Sequence, residues 1–571
     1  MVDELVRISV NYYIISTSAR IDDRIRVLKN GDTFAVFNRL GDIDELGAND
    51  LGIYHHDTRF LSQLVFVLEG KRPLLLSSTI KDDNAILAID LMNPDISRSG
   101  KVVIPHGTVH FCRSKILWKS SCYERLQIHN LGRSPVSFSF SIKFDADFAD
   151  IFEVRGMQRI KRGFRSEPQV LDSSLCFQYQ GLDGRTRQTD ITFNPSPSKL
   201  SAFEALYNVH LKPREEKNFQ YRVSCQENDA LHHPQYNEEL ENRTSLVQLY
   251  EEAVKKVSNK LKRSRMNEPK IFTSNEQFND WVNRSLADLH MMQTDTQHGP
   301  YPYAGVPWFS TVFGRDGIIT ALQCLWFKPE IARGVLQYLA STQADKENEM
   351  NDAQPGKILH ETRSGEMATL GEVPFGRYYG SIDATPLFIM LAGSYYHRTG
   401  DITSIRKIWN NIERALKWID RYGDNDGDGF IDYIPLTHHG LINQGWKDSH
   451  DSIFHADGSL ATPPIALCEV QGYVYAAKVA ASFLADVLGL YQLSQELSIQ
   501  AKNLKKKFNK IFWCKDLSTY ALARDGNHQL SQVRASNAGH CLFTGIAYED
   551  YAVLLAETRG PSGSSRTGLP G

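Results

Sequence analysis

The spacing of apolar residues changes near the middle of this chain, from a repeat of two to a repeat of about 3.6. Between residues 25 and 225 apolar and polar side chains alternate, as in 136–144 (VSFSFSIKF), which is typical of strands with one buried face. After residue 265 a helical repeat takes over, with one apolar face at Ile405, Ile408, Ile412, Leu416 and Ile419. The order predicts a multi-domain protein, an N-terminal antiparallel β-sandwich followed by an all-α domain.

The length of 571 residues exceeds what one hydrophobic core usually holds. We expect four segments: a β-sandwich domain at 1–230, a charged helical linker at 231–274, a helical domain at 275–557 and a low-complexity tail at 558–571. Long loops interrupt the helical domain at 294–315, 344–382 and 423–464. Loops of this length are usually functional or disordered, and their aromatic residues favour function.

Charge and cysteine spacing argue against several classes of protein. The net charge of −3 provides no positive field for nucleic acid. No apolar run reaches the roughly 18 residues of a membrane span, and the start MVDEL lacks the pattern of a signal peptide. None of the eight cysteines forms a Cys-x-x-Cys pair, which argues against zinc and for reduced thiols. We therefore expect a cytoplasmic protein that binds neither nucleic acid nor membrane.

The loop 445–449 (GWKDS) carries the most distinctive chemistry. Asp448 follows Trp446 and Lys447, so that one carboxyl lies close to an indole and an ammonium group. An indole face packs well on a sugar ring, and an adjacent acid could protonate the oxygen that leaves that sugar. The alternative is an exposed loop in which Asp448 caps the next helix.

Other loops repeat this combination of acidic and aromatic residues at predicted helix ends. In 313–317 (FGRDG), Arg315 and Asp316 lie at a helix start, where a carboxylate could cap the helix or bind sugar hydroxyls. The remaining motifs are 307–310 (PWFS), 360–367 (HETRSGEM), 378–386 (YYGSIDATP), 443–449 (NQGWKDS) and 468–473 (CEVQGY). Cleavage of a glycosidic bond needs one protonated carboxyl and a second carboxylate, and together these loops could supply such a site.

The segment 423–432 (GDNDGDGFID) resembles a calcium loop. Its acidic residues fall at positions 1, 3, 5 and 9 of that loop, namely Asp424, Asp426, Asp428 and Asp432. Position 12 is Pro435, where an EF-hand has a bidentate glutamate, so a true EF-hand is not expected. A looser structural Ca²⁺ site and a turn rich in aspartate both remain open.

The motifs FGRDG, HETRSGEM, YYGSIDATPLF, DGDGFIDY, NQGWKDS and EVQGYVYAA resemble the glucosidase domain of glycogen debranching enzymes, in particular the prokaryotic amylo-α-1,6-glucosidase group. The resemblance implies an (α/α)6 toroid and inverting hydrolysis of α-glucosidic bonds in α-glucan or oligosaccharide, with no required cofactor. It implies Asp448 as the general acid. It also implies a glucose subsite lined by Trp308, Arg315, Asp316, Tyr379, Asp383, Trp446, Lys447, Glu469 and Gln471.

The sequence departs from that family near its C-terminus. From Gln277 onward we predict eight or nine helices, against twelve in six closed pairs, so we expect an incomplete toroid. In this fold the second carboxylate comes from near the end of the barrel, which places the catalytic base beyond the C-terminus of this chain. Two alternatives therefore stay open: a non-catalytic carbohydrate-binding remnant, and a related trehalase-like or invertase-like enzyme of the same fold.

Overall fold

The computed structural model describes residues 4–8, 11–15, 25–44, 50–81, 84–229, 245–266, 268–437 and 439–559. The chain forms two compact units, Met1–Leu261 and Lys262–Gly571. The division falls inside the segment that the sequence predicts as a linker. Helix α2, Leu246–Met266, occupies much of that segment.

The first unit is built from antiparallel strands. These are β1 (Glu4–Ile8), β2 (Asn11–Ile15), β3 (Arg26–Asn30), β4 (Thr33–Phe37), β5 (Gly52–His55), β6 (Thr58–Leu61), β7 (Gln63–Leu68), β8 (Leu74–Ile80), β9 (Leu87–Met92), β10 (Ile96–Arg98), β11 (Lys101–Ile104), β12 (Val109–Trp118), β13 (Ser121–Asn130), β14 (Val136–Asp145), β15 (Phe164–Arg165), β16 (Gln169–Val170), β17 (Ser174–Gln180), β18 (Arg185–Asn194), β19 (Lys199–Leu200), β20 (Glu204–Leu211) and β21 (Glu216–Asp229). The short helix α1, Ile151–Val154, follows β14.

Two of the sheets face each other across an aromatic core. The larger has nine strands in the order β15-β17-β18-β21-β13-β12-β9-β8, with β16 beside β17, and the smaller has the order β19-β20-β14-β7. Phe66 of the smaller sheet lies 5.5 Å from Phe111 of the larger, and Phe140 lies 5.1 Å from Phe219 (ring centroids). Aromatic pairs of this kind hold sheets together by apolar burial. The predicted sandwich is confirmed.

Helix α1 is fixed by a reciprocal cap, which leads to a prediction. Asp150 accepts a hydrogen bond from the Phe152 N–H at 3.0 Å, and Glu153 accepts one from the Asp150 N–H at 3.0 Å. Asp150→Ala is expected to lower the free energy of unfolding of this unit by about 1–2 kcal/mol, measured by urea denaturation. The exposed Glu167→Ala serves as the control, with an expected change below about 0.5 kcal/mol. Equal losses in the two variants would contradict the role of the cap.

The second unit is mainly helical. Its helices are α3 (Glu276–Met292), α4 (Gly314–Cys324), α5 (Pro329–Ser341), α6 (Glu366–Thr369), α7 (Ala384–Thr399), α8 (Ile402–Tyr422), α9 (Cys468–Val487), α10 (Tyr491–Ile511), α11 (Gly539–Phe543) and α12 (Glu549–Arg559). It also contains three short antiparallel strand pairs. These pairs are β22 (Gln293–Thr296) with β23 (Gly299–Pro302), β24 (Ala466–Leu467) with β27 (Ala523–Arg524), and β25 (Trp513–Cys514) with β26 (Thr519–Tyr520). Single 3₁₀ turns lie at Glu349–Asn351, Pro374–Gly376, Lys515–Leu517 and Ser536–Ala538.

These helices form an inner and an outer layer. Helix α7 is buried on almost every face, as expected for an inner helix that is apolar all round. Helix α8 buries only the predicted stripe, including Ile405, Ile412 and Ile419, and therefore lies outside. Helices α9 and α10 repeat this inner and outer alternation. The starts of the inner helices α4, α7 and α9 come together at one end, because Arg315 at the start of α4 pairs with Asp383 at the start of α7, and Asp383 in turn acts on Glu469 at the start of α9.

The arrangement confirms the predicted fold class, an N-terminal sheet domain followed by helices of the (α/α)6 type. Among the described residues, nine helices of at least five residues begin after Lys262, fewer than the twelve of six pairs. Helix α12 runs to Arg559, and the rest of the predicted tail, 560–571, lies outside the described residues. None of the described helices is long and apolar enough to cross a membrane.

Candidate active site

The start of helix α4 is joined tightly to the loop of the HETR motif. The Gly314 N–H donates to the His360 carbonyl oxygen at 2.8 Å. A Cβ at position 314 would lie 1.9 Å from the Leu359 carbonyl oxygen, so only glycine allows this approach. The contact sets the position of the next residue, Arg315.

Arg315 connects three of the predicted site loops. Its Nη1 donates to Asp383 Oδ2 at 3.2 Å and to the Gly445 carbonyl oxygen at 2.8 Å, and its Nη2 donates to Asp448 Oδ2 at 3.2 Å. The Asp383 side chain is 0% exposed, whereas that of Asp448 is 42% exposed. One guanidinium therefore links a buried structural carboxylate to an accessible one.

Asp383 is held from its other side as well. The Ser381 hydroxyl donates to Asp383 Oδ1 at 2.5 Å and accepts from the Ala384 N–H at 3.2 Å. Asp383 occupies the N-cap position of α7 but makes no side-chain cap bond. Its carboxylate is thus committed to Arg315 and Ser381, which fixes the Arg315 guanidinium in turn.

The alternative role of Asp448 as a helix cap is wrong. No described residue between 423 and 467 begins a helix, so Asp448 has no helix to cap. Asp316 does lie in the first turn of α4, where the N-cap residue Phe313 provides no side-chain bond. Burial raises the pKa of Asp316, with the adjacent Arg315 opposing that shift.

The loop that carries Asp448 is anchored by side-chain to backbone hydrogen bonds. Asn443 Nδ2 donates to the Ser449 carbonyl oxygen at 2.7 Å, and the Ser452 hydroxyl donates to the Lys447 carbonyl oxygen at 2.7 Å. The Tyr433 hydroxyl donates to Asn443 Oδ1 at 2.7 Å. These bonds satisfy an irregular buried backbone and hold the loop in one conformation.

Trp446 and Lys447 of this loop are both half-buried and contact each other. Lys447 Nζ is 5.2 Å from the Trp446 ring centroid, a cation–π distance. The Trp446 ring is 5.6 Å from the ring of His540, whose Nδ1 is bonded to the Tyr473 hydroxyl at 2.7 Å. The indole is thus fixed from one side by His540 and covered by an ammonium group.

Glu469 and Gln471, at the start of α9, lie behind this loop and are both 0% exposed. Gln471 Nε2 donates to the carbonyl oxygens of Ile431 (2.7 Å) and Leu467 (3.1 Å), and its Oε1 accepts from the Ile431 N–H (2.9 Å). Glu469 Oε1 accepts from Asn537 Nδ2 at 2.9 Å. Gln471 thus fixes the backbone at Ile431, and Glu469 connects α9 to the next inner helix.

Two further predicted ligands are held by backbone contacts. The Tyr379 hydroxyl donates to the Thr342 carbonyl oxygen at 2.7 Å, and the side chain is buried. The Trp308 carbonyl oxygen accepts from Arg363 Nη2 at 2.7 Å, and Arg363 Nε donates to Glu361 at 3.0 Å. The structure therefore brings Arg315, Asp383, Trp446, Lys447 and Asp448 into one cluster. Contact of any predicted residue with sugar stays a prediction.

The sequence motifs did not identify the roles of Asn537 and His540. Both lie at the start of α11, in the segment 536–545 (SNAGHCLFTG). They contact Glu469 and Tyr473, which are 68 and 67 positions away. The only local signal was that polar residues again precede an inner helix, as in the other site motifs.

The aspartate-rich loop contributes none of its carboxylates to these contacts, although Gln471 binds the backbone of Ile431 within it. Carboxylate oxygens of Asp424, Asp426 and Asp432 come within 4.8 Å of one another, and burial raises the pKa of Asp432 to about 6. Two further side chains already lie at this loop: Arg524 pairs with Asp428, and His528 Nδ1 lies 3.4 Å from Asp426 Oδ2. A cation could bind only to carboxylate oxygens that Arg524 and His528 do not already contact. Calcium binding stays a prediction.

Comparison with known proteins supports the fold described above. Residues 28–222 match a family model described as the N-terminal domain of some glycogen debranching enzymes. The sheet domain is similar to that domain. No curated protein matches the chain by sequence.

Two solved structures share the fold over most of both units. A candidate kojibiose phosphorylase from the human microbiome has a TM-score of 0.54 at 10% identity, covering 87% of this chain and 69% of its own. A bacterial glucoamylase complexed with acarbose has a TM-score of 0.52 at 12% identity, covering 87% of this chain and 67% of its own. At such identities the likeness establishes the fold and leaves the reaction to be argued from the site.

Proposed function

We propose that this chain is a glycoside hydrolase of the amylo-α-1,6-glucosidase type, acting on α-glucosidic bonds of glycogen, other α-glucans or oligosaccharides with inversion. The observation that carries the proposal is the accessible Asp448 carboxyl, which Arg315 holds on the loop that also carries the Trp446 indole. An acid and an apolar ring surface at one point are what a sugar ring and its leaving oxygen require. The proposed reaction needs no cofactor, and a cytoplasmic location stays part of the proposal.

Asp448 is arranged to hold one transferable proton. Arg315 carries one positive charge against the two carboxyls of Asp383 and Asp448. Asp448 Oδ2 is directed to Arg315, and Oδ1 has no hydrogen-bond partner among the described residues. Oδ1 is therefore the atom that can present the proton to the glycosidic oxygen.

In the proposed step, the bond between the anomeric carbon and the glycosidic oxygen breaks. The proton of Asp448 moves to that oxygen, which leaves as an alcohol, and Asp448 becomes a carboxylate stabilised by Arg315. A water molecule adds to the opposite face of the sugar and passes its proton to solvent water, since no described residue is assigned as the base, and this gives the inverted product. Trp446 packs on the sugar ring and excludes water from the side of the acid.

The test is a panel of α-1,6-linked, α-1,4-linked and α,α-1,1-linked glucosides, incubated with the full chain with and without inorganic phosphate. We expect free glucose from α-1,6-linked substrates, at a rate independent of phosphate. Glucose 1-phosphate formed only with phosphate would indicate a phosphorylase instead. Binding by calorimetry without any cleavage would indicate the non-catalytic alternative, and cleavage of trehalose alone would indicate a trehalase.

A further inference from the structure

Glu469 is a fully buried carboxyl group that the proposed reaction does not use. It is 0% exposed, and no lysine, arginine or histidine of the described residues forms a salt bridge with it. Its Oε1 accepts from Asn537 Nδ2 at 2.9 Å, and its Oε2 accepts weakly from the Cys468 thiol at 3.5 Å. A buried carboxylate without a cation is strongly disfavoured, so the uncharged acid is the stable form.

The pair of Glu469 and Asn537 suits an uncharged acid. Asn537 is 0% exposed, and its Oδ1 is buried with no partner among the described residues. A half-turn of the Asn537 amide brings Oδ1 to the position of Nδ2, 2.9 Å from Glu469 Oε1. There it would accept the proton of a neutral Glu469.

The carboxyl lies directly behind the loop that carries Asp448. A Cβ at Gly445 would be 3.7 Å from Glu469 Oε1, and the Gly445 carbonyl oxygen accepts from Arg315 at 2.8 Å. Displacement of Gly445 would therefore disturb Arg315, which also holds Asp448. A charge on Glu469 would draw water or rearrange the amide of Asn537 at this contact.

We infer that Glu469 is a positioning residue that, in its uncharged form, fixes the 444–448 loop and thereby the general acid Asp448. Its ionisation loosens the loop, so that the site works only while Glu469 keeps its proton. The part of this inference that concerns turnover rests on the proposed function. The part that concerns the neutral state of Glu469 can be tested without turnover.

The surroundings of Glu469 favour the protonated form. Burial raises the pKa of Glu469 to about 7, against the opposing hydrogen bonds, and the negative charge of Asp383 raises it further. The titratable groups that act on it directly are Asp383, Tyr433, Cys468 and Tyr473, and the groups one contact further away are Arg315, His540 and Cys541. Of these, Arg315 is already committed to Asp383 and Asp448.

The pH dependence follows from this shift. Below the ordinary glutamate pKa of about 4.5, Glu469 is protonated in both the folded and the unfolded chain, so it does not change the free energy of unfolding. Between about 4.5 and about 7 only the unfolded chain ionises, so stability is lost progressively as pH rises. Above about 7 both forms are ionised and the loss is constant. Glu469→Gln, an uncharged residue of the same shape, removes this dependence.

The experiment compares urea unfolding and turnover of the unaltered chain and of E469Q from pH 4.5 to 9. We expect the unfolding equilibrium constant of the unaltered chain, relative to E469Q, to rise on the order of 100-fold between pH 4.5 and 7.5. We expect the ratio of kcat of the unaltered chain to kcat of E469Q to fall about tenfold per pH unit above pH 7, because every other proton requirement of the reaction is common to the two proteins. E361Q is the control for a Glu-to-Gln substitution, because Glu361 is a carboxylate that is paired with Arg363. It should lower the free energy of unfolding at neutral pH.

Two results would overturn the inference. One is a ratio of unfolding constants that does not change with pH, because Glu469 would then be equally charged in both states. The other is loss of turnover by E469Q at every pH with unchanged stability, because the acidity of Glu469 would then be used directly. Absence of turnover in the unaltered chain contradicts the proposed function instead, and leaves the stability test decisive for Glu469.

Discussion

Asp448→Asn is expected to lower kcat on α-1,6-linked glucosides by about a thousandfold. The amide keeps the size of the carboxyl and can still accept from Arg315 Nη2, now 3.2 Å from Oδ2, so the loop should keep its position. It has no proton to give to the leaving oxygen, and the transition state loses general-acid assistance. KM should change less than about threefold, since ground-state contacts persist. Initial rates measured with substrate concentrations from below to above KM separate the two effects.

The neighbouring Asp451→Asn provides the matched control. Asp451 is exposed on the same loop and makes none of the contacts of Asp448, so D451N should retain kcat within about twofold. Activated substrates with a good leaving group, which need little acid assistance, should be cleaved by D448N far better than natural ones. Full turnover of D448N on natural substrates would remove Asp448 from the reaction.

Arg315→Met is expected to lower the free energy of unfolding of the second unit by about 3–5 kcal/mol. The substitution removes the cation that pairs with Asp383, whose side chain is 0% exposed. A buried carboxylate without its partner is more costly than the loss of the hydrogen bonds alone. The Gly445 carbonyl oxygen and Asp448 also lose their shared donor, so turnover should fall together with stability. Urea denaturation monitored by tryptophan fluorescence measures the first effect.

A double-mutant cycle distinguishes the buried charge from a general packing effect. In R315M/D383N no uncompensated charge remains, so the double variant should be more stable than R315M alone, although still inactive. Arg333→Met, at an exposed arginine of α5, should change stability by less than about 0.5 kcal/mol. If the double variant is less stable than R315M, the unpaired Asp383 carboxylate is not what destabilises R315M.

Much of the fold could be predicted because its signals are local. The alternation in 136–144 predicts β14, and the stripe from Ile405 to Ile419 predicts α8, because both patterns record which side of one element is buried. The antiparallel pairing of β17 with β18 joins strands with the same kind of alternation, as in Leu175, Phe177 and Tyr179. The burial of α7 on nearly all faces also follows from its apolar sequence.

The site was predictable only in part, because its contacts are long-range. The bonds of Arg315 to Asp383 and Asp448 span 68 and 133 positions, and only the family resemblance assigned these residues to one site. The ammonium of Lys447 lies over the Trp446 ring, a contact that the order of residues alone does not reveal. The complete burial of Glu469 and its bond to Asn537 depend on how α9 and α11 pack, which no local pattern encodes.

The most direct test of the central claim, that the cluster around Arg315 and Asp448 is an inverting sugar-cleaving site, is the anomeric form of the first glucose released. Proton NMR of the full chain acting on an α-1,6-linked glucoside follows the two anomeric signals before they equilibrate. We predict that β-glucose appears first, at a rate abolished by D448N. Release of α-glucose first, or saturable binding of the substrate with no glucose at any time, would contradict the claim.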